Sequence, residues 1–432
     1  MKKYYYKQLG DSEIERLCCR EAINSDEAFE TAKMIIEDVK LNGDEALKKY
    51  SEKFDKVILD NFMVSAEEIE QGAKRVSQNV KDAFDIAAKN IEKFHKAQMK
   101  EELVVATSPG VICYREMRPI EKVGLYIPGG TAILPSTVLM LGIPAKIAGC
   151  KDVIMCTPSD RNGCVADIIL YVAKLIGVTK VFKIGGAQAI AAMAYGTKTI
   201  PKVYKIFGPG NQYVTAAKML ISIDNQGCAI DMPAGPSEVL VIADKNADAS
   251  FVAADLLSQA EHGKDSQAVL VCMDESKADE IFEEIEKQLS KLPRIEIAKI
   301  ALAKSFAVIC ENIAEMFEFS NLYAPEHLII NISNPELYLK NVMNAGSVFI
   351  GKYSCESAGD YASGTNHTLP TYGYAKAFSG VSLDSFVKKI TFQKLESEGV
   401  KSLAKTVITM AEIEGLDAHK RAMEIRLETL TK

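Results

Sequence analysis

The chain has 432 residues, 25% of them charged and 48% hydrophobic, with a formal net charge of −7. That length predicts two or three domains with ample core. The acidic balance, with no local Lys/Arg cluster to reverse it, argues against general binding to nucleic acid or to anionic membranes.

Met1-Lys-Lys-Tyr-Tyr-Tyr-Lys-Gln has positive charge but no apolar run behind it, which is not the pattern of a secretory signal. Residues 12 to 100 read as helical. Asn24-Ser25 offers a cap before a helix over Glu27–Lys40, and Ser65-Ala-Glu-Glu68 is a capping-box start for the next helix. From Val111 the period changes, and short β-rich runs alternate with helical stretches. Strands are expected over Val123–Ile127, Val153–Cys156, Lys180–Ile184 and Val203–Phe207, each followed by a helix, the first over 135–148. The apolar stretch Thr137–Gly149 is broken by Pro144 and Lys146, so it does not read as a membrane span. A second series follows, with strands over Glu238–Ala243, Ala268–Cys272, Ser305–Cys310, His327–Ile332 and Val348–Ile350. After Gly351 a polar, periodless stretch runs to about Gly380, a length that favours a functional loop. Two helices, over 399–413 and 418–431, close the chain around Glu414-Gly415.

The expected fold class is therefore α/β. It has two similar, incomplete Rossmann-like parallel-sheet domains, an N-terminal helical layer and a small C-terminal helical arm. The expected divisions are 1–110 for the helical segment, 111–235 and 236–380 for the two α/β domains, and 381–432 for the arm. Ten cysteines occur with no C-x-x-C pair, although Cys18 and Cys19 are adjacent. Scattered thiols fit a reducing cytoplasm, most of them as small buried hydrophobes.

Three Gly-rich segments end strands of the first series: Tyr126-Ile-Pro-Gly129-Gly130, Gly185-Gly186-Ala-Gln188 and Phe207-Gly208-Pro-Gly210-Asn211. Carboxyl ends of parallel strands are where such sheets bind nucleotides, and glycine admits a phosphate to the helix N-terminus. The third glycine of a dinucleotide fingerprint is replaced by Tyr213, so a plain strand-to-helix turn explains any one of these segments equally well.

Only five histidines serve the chain. His95 looks like an ordinary helix-surface residue. The other four lie beside polar or acidic neighbours, where imidazole binds metal or moves protons. Gln259 and His262 are spaced i, i+3 at a predicted helix end and share a face; a surface glutamine and a C-terminal histidine favoured by the helix dipole is the plainer reading. Glu326-His327, after Pro325, pairs a carboxylate with an imidazole, as acid–base chemistry or a strand-edge ion pair requires. Asp360 offers a hard oxygen ligand in a Gly-rich loop, and Ser237 a hydroxyl after a Pro/Gly turn; both also fit turn chemistry. His419 opens the last helix, where a charged imidazole gains nothing from the dipole but a neutral one can ligate.

Together these segments resemble the histidinol dehydrogenase family, the enzymes of the last two oxidations of histidine biosynthesis. The likeness rests on Val123-Gly-Leu-Tyr-Ile-Pro-Gly-Gly130, Gly185-Gly-Ala-Gln-Ala-Ile190, Phe207-Gly-Pro-Gly-Asn211, Asp231-Met-Pro-Ala-Gly-Pro-Ser-Glu238, Leu257-Ser-Gln-Ala-Glu-His-Gly263, Pro325-Glu-His327 and Glu356-Ser-Ala-Gly-Asp-Tyr-Ala-Ser-Gly-Thr-Asn-His367. It spans nearly the whole chain.

The resemblance implies one zinc ion per subunit on Gln259, His262, Asp360 and His419, and NAD met by Tyr126, Gln188 and Asn211. It implies that L-histidinol touches Ser237, Glu414, His327 and the zinc ligands Gln259, His262, Asp360 and His419. Glu326 and His327 would be the acid–base pair, and His367 would line the pocket. His419 and Glu414 would come from the partner of an intertwined cytoplasmic homodimer. A zinc hydrolase, an oxidoreductase for another amino alcohol, or a thiol-based aldehyde dehydrogenase are the competing readings. Of the ten cysteines only Cys355 borders a His-bearing motif.

Overall fold

The computed structural model describes residues 1–20, 26–99, 103–129 and 133–430. The proposed cap at Asn24-Ser25 and the glycine at 130 lie outside them. Two parallel sheets form the body. The first has five strands in the order Lys180–Lys183, Asp152–Thr157, Lys122–Tyr126, Lys205–Phe207, Ala229–Ile230. The second has six, in the order Lys2–Tyr5, Phe306–Ile309, Gln267–Cys272, Glu238–Ala243, His327–Asn331, Ser347–Ile350. Central strands such as Glu238–Ala243 are buried along their whole length, as a parallel sheet covered on both faces requires.

The expected helix at 135–148 is the observed Pro135–Ala148, with proline in its first turn and Gly149 in the left-handed region at its end. Ser65 caps Ala66–Arg75 with the full reciprocal box that its sequence announces.

The N-terminal segment is more dispersed than a helical layer. Lys2–Tyr5 is an edge strand of the second sheet, paired in parallel with Phe306–Ile309. Its run of tyrosines suits a pleated, half-buried edge. Asp26–Asn42 packs on the helices Gly186–Tyr195 and Gln212–Ile223, whereas Ala66–Arg75 and Gln78–Lys96 pack on Asp167–Ile176 and Pro135–Ala148. The helices thus cover both faces of the first sheet and build two separate cores around it. His95 is fully buried in this packing, its Nδ1 2.9 Å from the Ile91 carbonyl oxygen, so it is not a surface residue.

A third sheet was not foreseen. Leu103–Ser108, Val111–Pro119 and Val387–Leu395 pair antiparallel. The C-terminal arm is therefore a strand followed by the helices Ser397–Ile413 and Asp417–Thr429. The second of these helices has no buried residue. Among the described residues, no helix is long and apolar enough to cross a membrane.

Candidate active site

A cleft of about 1040 Å³ lies between the carboxyl ends of the first sheet's strands and the amino ends of the second sheet's. From the first side it is lined by Pro128, Thr137 and the segment 209–213. From the second it is lined by Ser237, His262, Glu326, His327, Asp360 and His367.

Glu326 and His327 reach it together because only His327 is in the strand. The helix Ile313–Tyr323 ends at Ala324 with φ 51°, and Pro325 turns the chain before His327 opens the strand. The backbone of Glu238, on the neighbouring strand, holds both side chains. Its N–H donates to Glu326 Oε2 at 2.8 Å, and its carbonyl oxygen lies 3.1 Å from His327 Nδ1. A carbonyl only accepts, so Nδ1 carries a proton in either charge state, and Nε2 is the nitrogen that gains or loses the second. That Nε2 is buried with no hydrogen-bond partner, 3.4 Å from Asp360 Oδ1. Burial alone would depress His327; the carboxylates of Glu356 and Glu326 and the Asp360 contact outweigh it and hold the imidazole well above its ordinary pKa. Burial pushes Glu326 up, against the opposing pull of His327 and the Glu238 N–H.

One ligand atom each from His262, Glu356 and Asp360 lies within 4.8 Å of the others. Glu356 and Asp360 come from one short helix, Glu356–Tyr361, at i, i+4, and so face the same way. Gln259 arrives fully buried from the end of Ala249–Ala260, with His262 just beyond it. Burial pushes Glu356 well above the usual carboxylate range, Asp360 and Glu326 adding to the shift and His327 opposing it. Asp360 Oδ1 is buried without a hydrogen-bond donor. Glu326, Glu356 and Asp360 share the imidazole of His327 as counter-charge, at 3.5, 3.8 and 3.4 Å. Three carboxylates around one imidazole, with an orphaned oxygen among them, fit a divalent cation. Nitrogen and carboxylate donors with a neutral amide suit zinc.

The loop that follows the Asp360 helix is clamped to both sides of the cleft. His367 Nδ1 lies 2.9 Å from the Asp360 carbonyl oxygen and its Nε2 3.3 Å from Thr137 Oγ1. Asn366 Nδ2 donates to the Met140 carbonyl at 2.6 Å, and the Gly235 N–H donates to Thr371 Oγ1 at 2.5 Å.

On the first sheet the predicted cofactor residues divide. Asn211 lines the cleft but spends Oδ1 on capping Gln212–Ile223, accepting the Tyr213 and Val214 N–H groups at 3.1 Å. Tyr126 and Gln188 are buried beneath the wall. Tyr126 Oη accepts the Gly186 N–H at 3.0 Å, and Gln188 Oε1 is a buried acceptor without a partner. Gly208 has φ 129°, and a Cβ there would come within 2.1 Å of the Tyr126 carbonyl oxygen; a Cβ on Gly129 would strike Pro158. Chain packing therefore demands these two glycines whether or not a phosphate approaches. Asp231 Oδ1 pairs with buried Lys218 at 2.5 Å, and its Oδ2 accepts the Gly208 N–H at 2.8 Å, fixing that turn from behind.

Glu414 and His419 are exposed on the arm and do not line the cleft of their own chain. Cys355 is exposed at the N-cap of Glu356–Tyr361.

Two residues at the site carried no role in the sequence reading. Glu356 was hidden in a stretch without apolar period, though its i, i+4 spacing from Asp360 was visible. Arg20 had no signal at all. It is buried, donates to Glu238 Oε2 at 2.7 Å and to the carbonyls of Tyr323 and Cys18 at 2.7 and 2.9 Å, and stacks on the Tyr323 ring at 3.6 Å.

Comparison with known proteins agrees with this geometry. A family model described as histidinol dehydrogenase matches residues 18–427. The chain is 55% identical over 431 residues to a chloroplastic histidinol dehydrogenase of Arabidopsis thaliana, covering 100% of this chain and 92% of that protein. It is 55% identical over 411 residues to a histidinol dehydrogenase of Bacteroides thetaiotaomicron, covering 95% and 96%. A crystal structure of histidinol dehydrogenase from Elizabethkingia anophelis superposes with a TM-score of 0.96 at 52% identity, covering 100% of this chain and 99% of that one.

Proposed function

We infer the chemistry from one premise: this chain belongs to the histidinol dehydrogenase family. It oxidises L-histidinol to L-histidine through the aldehyde, the last steps of histidine biosynthesis, and uses NAD and zinc. The observation that carries the assignment of roles is the His327 imidazole, held by its Nδ1–H with Nε2 facing Asp360 at the cleft and without a hydrogen-bond partner.

When bound, zinc supplies a charged anchor for the substrate's imidazole and amine, and NAD supplies the hydride acceptor. Gln259, His262 and Asp360 would hold the metal. His327 Nε2 takes the proton of the substrate hydroxyl, and the Glu238 carbonyl keeps the ring from turning as it does so. Glu326 acts in the second oxidation. Its Oε2 is fixed by the Glu238 N–H, which leaves Oε1 to accept a proton from the water that adds to the aldehyde. Ser237 positions the substrate at the cleft wall. Asn211 meets NAD at that wall, with Tyr126 and Gln188 below it; the unpartnered Gln188 Oε1 is an acceptor for a cofactor donor. Residues 111–235 then bear the NAD side, 236–380 the zinc and acid–base side, and 381–432 the arm. With ten unpaired cysteines, we place the reaction in a reducing cytoplasm.

We also propose that the protein works as an intertwined homodimer. The arm exposes Met410 (58%) and Ile413 (80%) beside Glu414, and its last helix, packed on the helix before it, has no buried residue. Such apolar surface calls for a partner, and His419 and Glu414 would complete the partner's site.

The test is to follow reduced NAD with L-histidinol as sole reductant. Two NAD reduced per substrate are expected, with activity lost on chelation and restored by zinc. Glu326→Gln should slow aldehyde oxidation more than alcohol oxidation, and His327→Asn should slow the alcohol step directly. One NAD per substrate, or equal slowing of both steps by Glu326→Gln, would contradict these roles.

A further inference from the structure

We propose that Glu356 is a positioning residue whose carboxylate fixes which end of the Gln259 amide is turned toward the metal. The proposal rests on the reading of Gln259 as a zinc ligand. Only the amide oxygen can ligate; the amide nitrogen has no lone pair to give. The two ends have nearly the same shape, so packing alone cannot choose between them. A neighbour must.

Glu356 is that neighbour. Its side chain is buried, 1% exposed, at the start of the helix that also carries Asp360. The Gln259 amide ends against the Glu356 carboxyl, and with Nε2 turned toward it Gln259 would donate to Oε1 at 2.5 Å and to Oε2 at 3.2 Å. Turned the other way, the amide oxygen would face two carboxylate oxygens. With a divalent cation beside it Glu356 is ionised despite its burial, and a carboxylate only accepts, so it retains the NH₂ end and leaves Oε1 directed elsewhere. Glu356 also brings an oxygen within 4.8 Å of the ligand atoms of His262 and Asp360, so direct ligation is the rival role. Outer residues that orient a ligand typically change metal affinity about 10- to 100-fold. The rival roles separate because orientation acts through Gln259 and ligation does not.

The experiment measures zinc affinity of the full-length protein by competition with a chromogenic chelator. Gln259→Ala should weaken zinc binding; unchanged affinity would remove Gln259 as a ligand and the premise with it. Given that loss, Glu356→Gln should weaken binding about 10- to 100-fold in the wild-type background and have almost no effect in the Gln259→Ala background. An equal loss in both backgrounds would make Glu356 a ligand and overturn the proposal, as would no loss in either. The exchange Gln259→Glu with Glu356→Gln reverses the hydrogen bond, with the new amide donating to the new carboxylate. It should recover affinity relative to Glu356→Gln alone, which a packing role would not produce. Should Glu356→Gln fold poorly, Glu356→Asp keeps the charge but withdraws it from Nε2, and the same dependence on Gln259 is expected. Its absence would equally sink the idea.

Discussion

Replacing Arg20 with Met tests how the proposed acid–base pair, Glu326 and His327, is held from behind. The Arg20–Glu238 ion pair is 2.7 Å long, with side-chain exposures of 6% and 2%. Methionine keeps most of the apolar stem over the Tyr323 ring but removes the charge and its donors. Glu238 would then be a buried carboxylate held chiefly by the Tyr372 N–H at 2.9 Å. Breaking a buried pair from one side costs about 3–5 kcal/mol, because the remaining charge is uncompensated. Urea unfolding followed by tyrosine fluorescence reads this loss, the chain having no tryptophan and 16 tyrosines. Glu238→Gln should cost a similar amount, and the double variant clearly less than the sum. Arg421→Met, which breaks the exposed Arg421–Glu428 pair, is the control and should leave the midpoint in place. Because the Glu238 backbone holds both Glu326 and His327, the Arg20 variant should also lose turnover with histidinol. A stability change under about 1 kcal/mol for Arg20→Met would refute the argument and make this pair as weak as a surface one.

Two other predictions follow from burial and from the arm. Burial lowers the pKa of His95, so its neutral form is favoured in the fold; that stability is present above the unfolded value of about 6.5 and is lost as pH falls through the lower folded value. His95→Gln should therefore show a smaller fall in unfolding midpoint than wild type between neutral and mildly acidic pH, and parallel falls would refute this. For the arm, His262→Asn and His419→Asn chains, each inactive, should regain activity when unfolded and refolded together. If His419 serves the other subunit, one site of each mixed dimer carries both lesions and the other none, giving up to about a quarter of wild-type activity. Mixed dimers confirmed by mass but inactive would leave His419 as a ligand of its own chain.

Much of the body was legible because a parallel sheet advertises itself. Glu238–Ala243 is a continuous apolar run after its first residue, and Pro135–Ala148 is bounded by its own proline and glycine, so both were located to the residue. What escaped were elements whose partners lie far away in sequence. Lys2–Tyr5 is a strand only because Phe306–Ile309 offers it an edge, and Val387–Leu395 because Val111–Pro119 does. Nothing local to either run contains that information. His95 failed for the same reason. Lysines flank it, and only the packing of its helix on Pro135–Ala148 shows that its own face is covered.

The site follows a sharper rule. Asp360, Glu326, His327 and His262 were visible because their motifs together resemble one family, although turn chemistry or a plain ion pair explains any one of them alone. Glycines could not be decided, because glycine has two uses that sequence cannot separate. Gly208 lies where a phosphate-binding turn would have it, yet the Tyr126 carbonyl already forbids a side chain at that position. Glu356 was passed over for the opposite reason. One of 58 acidic residues attracts no notice until the helix Glu356–Tyr361 turns it, with Asp360, toward His327 and brings the Gln259 amide against it. The residues that perform chemistry can be read from their types, whereas those that aim them are ordinary residues whose meaning comes from a single neighbour. That is why the sequence pointed to His262, Asp360, Glu326 and His327, which the structure brings to one cleft, and only the structure led to Arg20 and Glu356.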